Sequence, residues 1–62
     1  MSKVKQYYAD EAEKQVDAII ENAKNNIITK DEAEKQILNV ENVNMLNIDA
    51  ENVNEFVYYG LQ

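Results

Sequence analysis

Sixty-two residues with no cysteine and no histidine allow one domain at most, no disulfide, and no thiolate or imidazole ligand for a structural zinc. The formal net charge is −6 and the sequence pI is about 4.3. Like-charge repulsion therefore opposes nucleic acid and anionic membrane surfaces, and a charged partner is expected to be basic. No run approaches the ~20 apolar residues of a membrane span. Lys3 and Lys5 are not followed by the apolar run of a signal peptide, so a cytoplasmic protein is expected. A core this small rarely supplies more than ~3–5 kcal/mol of net stability, which leaves well-formed helices or oligomerisation to support it.

From Val4 onward, apolar residues recur at Tyr8, Ala12, Val16, Ile19, Ala23 and Ile27. Steps of three and four are the helical period. At about 100° per residue these positions form one stripe, with Ile20 on its flank. Asp10, Glu13, Asp17 and Glu21 fall together on the opposite side, and Tyr7 lies off the stripe. The spacing predicts an amphipathic first helix over about residues 4–26, with a frayed start at residues 1–4. Asn25 and Asn26 are poor helix formers and are expected to end it.

The chain then reads Ile28-Thr29-Lys30-Asp31-Glu32. Thr29 can accept the N–H of Glu32, whose carboxylate can reach back to the N–H of Thr29: a capping box that opens a second helix over about residues 30–40. Ala33, Ile37 and Val40 give that helix a core face, and Ile28 is placed to staple against Ala33. Glu34 and Leu38 face elsewhere. Asn39, Asn42, Asn44 and Asn47 interrupt the next segment, so the helix is expected to stop or kink near residues 39–41. A short helical turn or an irregular link over residues 41–47 comes next. The hexapeptide DEAEKQ occurs at 10–15 and again at 31–36. In the second copy Asp31 and Glu32 have a structural explanation, the cap and the positive end of the helix dipole. In the first, Asp10 and Glu13 lie on the exposed acidic face.

Asp49 is a good N-cap for a third helix over about residues 50–60, and Ile48 and Val53 are spaced as its hydrophobic staple. Val53, Phe56, Val57 and Leu61 share one face, while Glu51, Glu55 and Tyr58 share the other. Gly60 suits a left-handed residue at the C-terminus. A second repeat, ENVN at 41–44 and 51–54, is too short to indicate a repeat architecture. The expectation is an all-α three-helix bundle with a long first helix and antiparallel neighbours. Tyr7–Tyr8 and Tyr58–Tyr59 would then lie at opposite ends of one chain and meet only in an antiparallel dimer.

Catalysis is not expected. With histidine and cysteine absent, the hydroxyls are Ser2, Thr29 and four tyrosines, and there is no glycine-rich phosphate loop. Paired carboxylates such as Glu11 with Glu13, or Glu32 with Glu34, sit in charged sequence where nothing would tune them for acid–base work. Calcium loops need closely alternating oxygen ligands and a turn glycine. Asp49 and Glu51 offer two such positions without the glycine, and the acids at 31–34 lie inside a predicted helix. No cofactor or metal is expected.

Two surfaces are left as candidates. The row Asp10, Glu13, Asp17 and Glu21 places carboxylates about 5–6 Å apart along a helix, a spacing able to imitate phosphates in the basic site of a nucleic-acid-binding protein; the alternative is a merely solvated face. Glu51, Glu55, Tyr58 and Tyr59 form a mixed aromatic and acidic patch near the C-terminus, of a kind that suits a basic partner; the alternative is a tail folded onto the bundle. In composition the chain resembles the short acidic helical proteins that phages and other mobile elements use against host factors, though it matches no family motif. One reading is a small module that inhibits or modulates a larger protein by occupying its surface. Another is a structural dimerisation or assembly module. A helix-turn-helix regulator is opposed by the third helix, which carries Glu51 and Glu55 and no basic residue to contact phosphates or bases.

Overall fold

A computed structural model describes the backbone of residues 2–62 and the side chains of residues 6–62. The described residues form α1 (Ser2–Lys24), α2 (Lys30–Leu38), one 3-10 turn (Val43–Leu46) and α3 (Val53–Gly60), with no strand among them. This is the all-α three-helix architecture that the periodicity predicts. α1 runs from Ser2 rather than from about residue 4. The Val4 position of the apolar stripe lies outside the described side chains.

α1 stops at Lys24, two residues short of the expected end, because Asn26 takes up a left-handed conformation (φ 61°). The N–H of Ile27 then donates to the Asn22 carbonyl at 2.9 Å, and the N–H of Asn26 donates to the Ala23 carbonyl at 3.1 Å. Those two bonds make a Schellman motif with asparagine in the usual glycine position. They turn the chain off the helix axis, so Ile27, expected on the core stripe, is 67% exposed. Ile28 packs against the core in its place.

α2 opens with the predicted capping box. The N–H of Glu32 donates to Thr29 Oγ1 at 3.1 Å, and the N–H of Thr29 donates to Glu32 Oε1 at 3.2 Å. It ends at Leu38 with Asn39 as its C-cap, inside the interval where the asparagines begin. The 3-10 turn is bracketed by Asn42 and Asn47, both left-handed (φ 66° and 61°).

Regular helix in α3 begins at Val53, three residues later than expected, and its N-cap is Asn52, without a side-chain capping bond, not the expected Asp49; the turn leading into the helix is closed by Asp49. Its Oδ1 accepts the N–H groups of Glu51 at 2.9 Å and Asn52 at 3.1 Å, while Asn52 Oδ1 accepts the N–H of Asp49 at 2.9 Å. These reciprocal bonds have the pattern of a capping box, but they close the turn before α3 and do not cap the helix itself. Asn52 Nδ2 also donates to the Asn47 carbonyl at 2.8 Å, tying this turn to the end of the 3-10 turn. Gly60 is not left-handed, contrary to expectation. The close approach of Ile20 explains it instead: a Cβ on Gly60 would lie 2.9 Å from Ile20 Cδ1.

The core is built from Ala12, Val16 and Ala23 of α1, Ala33 and Ile37 of α2, Val53 and Val57 of α3, and Val40 and Ile48 of the links. Both DEAEKQ copies place their alanine, Ala12 or Ala33, in this core. The ENVN copies differ: Asn42 is left-handed, whereas Asn52 has φ −112° and serves the α3 cap. No aromatic side chain is buried. Tyr8, expected on the core stripe, is 47% exposed, and Phe56, expected on the core face of α3, is 39% exposed. The cause for Tyr8 is length. α1 extends ~35 Å, against ~12–14 Å for α2 and α3, so its first turns overhang the shorter helices. Phe56 sits at the rim, where α3 meets α1.

Candidate functional site

Asp10, Glu13, Asp17 and Glu21 are all exposed along α1, as the amphipathic pattern requires. The ion pairs among the described residues lie elsewhere. Lys14 Nζ is 4.0 Å from Glu11 Oε1, and Lys30 Nζ is 3.1 Å from Glu34 Oε2. Lys14 is thus paired with Glu11, which is not one of the four stripe residues. Each (i, i+3) or (i, i+4) step along the stripe is a like-charge contact that costs the helix about 0.2–0.5 kcal/mol.

The C-terminal half of this stripe meets α3. Asp17, Glu21 and Lys24 form one wall of a groove of about 480 Å³, with Ile20 and Gly60 also lining it. Phe56 and Tyr59 form the α3 side. The same two rings also line a smaller depression of about 210 Å³, bordered by Ile48, Asn52 and Glu55. The surface is thus continuous: carboxylates of α1, then two aromatic rings, then Glu55. Tyr59 is 70% exposed, and its ring meets that of Tyr58 edge-on at 5.5 Å.

Of the residues singled out by the sequence, the fold joins Asp17, Glu21 and Tyr59 in one groove and brings Glu55 beside it. Asp10 and Glu13 lie further along α1, outside the groove, and Glu51 and Tyr58 are exposed but do not line it. Sequence reasoning missed Phe56 and Ile20. Both sit on apolar helical periods and read as core or flank; their partial exposure depends on how closely α3 approaches α1. A second groove of about 410 Å³ lies toward the other end of the molecule, lined by Gln6, Ala9, Asn44, Met45 and Asn47. It is uncharged. The Tyr7 and Tyr8 rings pair edge-on at 5.5 Å near that end of α1, and Tyr58–Tyr59 lie beside its C-terminal half, so the two pairs do not meet in one chain.

Carboxylates next to exposed aromatic faces can hold a cation in two ways. They accept charge-assisted hydrogen bonds, and the rings attract the cation through their quadrupoles. Among the described residues, no group of three acidic side chains is arranged to hold a metal ion, and no helix is long and apolar enough to cross a membrane. No family model, no curated protein and no solved structure matches the chain.

Proposed function

We propose that this protein is a small acidic binding module that inhibits or modulates a larger protein by occupying a basic surface on it, with no chemistry of its own. The observation that carries the reading is the placement of the aromatics. All five aromatic residues are exposed, while the core is made of alanine, valine and isoleucine. Tyrosine and phenylalanine are enriched at protein interfaces relative to the rest of a protein's surface. Here two of them lie against a row of carboxylates. The row would suit a target whose own ligand is a nucleic acid, with the carboxylates in the place of phosphates. The composition resembles that of the short acidic helical proteins that phages and other mobile elements use against host factors.

Capture from a host lysate on the immobilised protein tests this, with bound material identified by mass spectrometry. The expected result is a dominant larger, basic partner that is released by salt and lost when Asp10, Glu13, Asp17 and Glu21 are replaced by Asn or Gln. Retention of the partner by that variant would sink the electrostatic reading. A second reading, self-association, is favoured by the tyrosine pairs displayed at both ends of α1. Light scattering at high micromolar concentration decides it, and a monomeric mass counts against it.

A further inference from the structure

Resting on that reading, we propose that the groove between α1 and α3 is the seat of an arginine side chain presented by an exposed segment of the partner. The aliphatic stem would lie on Ile20 and Phe56, and the guanidinium would lie against Tyr59 and the carboxylates of Asp17 and Glu21. Charge complementarity carries this choice. The walls and the adjoining edge hold three carboxylates, Asp17, Glu21 and Glu55, against one ammonium, that of Lys24, in a chain whose net charge is −6. An apolar side chain would leave those carboxylates unmatched, and an anion would meet them as like charges. Arginine is preferred to lysine because its planar guanidinium both stacks on aromatic faces and binds carboxylates in a forked geometry. Gly60 lets α3 come close to Ile20 at the groove that both line.

The test is an amide chemical-shift titration of the full chain with an alanine-based helical peptide carrying arginine at every fourth position. The same peptide with glutamine in those places serves as control. Shifts are expected to cluster at Ile20, Glu21 and Lys24 of α1 and at Phe56, Tyr59 and Gly60 of α3, with none from the glutamine peptide. Phe56→Ala should weaken binding by about two- to thirtyfold, the range of a cation–π contact. Tyr59→Ala, at a position too exposed to affect folding, should weaken it similarly. Asp10→Asn with Glu13→Gln, outside the groove, should weaken it less than either. The proposal is overturned if the shifts follow Asp10 and Glu13 as strongly as the groove, if both aromatic variants bind as the wild type does, or if no shifts appear. If Phe56→Ala and Tyr59→Ala each bind the lysate partner with the affinity of the wild type, the groove assignment fails and the broader function stands. If the arginine peptide fills the groove but no partner is captured, the groove chemistry stands and the regulatory function fails.

Discussion

Gly60 lies against Ile20 so closely that a Cβ there would sit 2.9 Å from Ile20 Cδ1 and 3.1 Å from Ile20 Cγ2. The Cδ1 methyl is the far end of the side chain and can swing aside. The Cγ2 methyl moves only with rotation about χ1, which a β-branched residue in a helix resists. Gly60→Ala gains up to ~1 kcal/mol from reduced unfolded-chain freedom, but overpacking costs ~1–3 kcal/mol. The expected net effect is destabilisation of about 1 kcal/mol in urea unfolding. Ile20→Val removes the nearest methyl, so the cost of Gly60→Ala should shrink in that background. A stabilised Gly60→Ala single variant would show that the contact does not constrain this position.

The capping box of α2 and the reciprocally bonded Asp49–Asn52 turn before α3 make a second comparison. Thr29→Ala removes one side-chain acceptor and should cost about 1 kcal/mol. Asp49→Ala removes an oxygen that accepts two N–H groups and should cost at least as much, about 1–2 kcal/mol. Because Asp49 and Asn52 bond reciprocally, Asp49→Ala and Asn52→Ala together should cost less than the sum of the two. Additivity in that double-mutant cycle would mean that the reciprocal bonds are not coupled.

The features legible in the residues are those encoded locally. Thr29 with Glu32 and the stripe through Ala12 and Val16 each depend on neighbours within about one helical turn and lie where the pattern puts them, and Ile48 and Val53 are both in the core. The reciprocal role of Asn52 escapes a sequence reading because its residue type is unusual in that position, although its three-residue spacing from Asp49 is a visible signal. Tyr8, Phe56 and Gly60 depart from expectation for another reason. Their surroundings depend on the relative lengths of the helices and on how near α3 comes to Ile20, neither of which helical periodicity encodes. The candidate groove divides in the same way: its carboxylates are visible as a row, and its aromatic wall emerges only from packing.

Asn26 offers a third test, of the left-handed residue that ends α1. Asparagine tolerates φ 61° better than most residues but less well than glycine. Asn26→Gly should stabilise the fold by a few tenths to ~1 kcal/mol, and Asn26→Ala should destabilise it by about 1 kcal/mol. Thermal unfolding of the two variants should therefore shift in opposite directions. Shifts of the same sign would separate the Schellman turn from any conformational demand at this residue.

The acidic stripe should behave oppositely toward stability and toward binding. Asp10, Glu13, Asp17 and Glu21 are exposed and outside the ion pairs formed by Lys14 and Lys30. Replacing them with Asn or Gln therefore removes repulsion without leaving a buried partner unsatisfied. Each relieved like-charge contact is worth about 0.2–0.5 kcal/mol, so the variant should be as stable as the parent or slightly more so, above all at low salt where screening is weakest. Binding to a basic partner should fall sharply in the same variant, and the strong salt dependence of the parent's affinity should flatten. A face kept only for solubility would show the gain in stability without the loss of binding. Unfolding and binding measured on one preparation therefore distinguish an acidic face that repels itself for a partner's sake from one that is simply solvated.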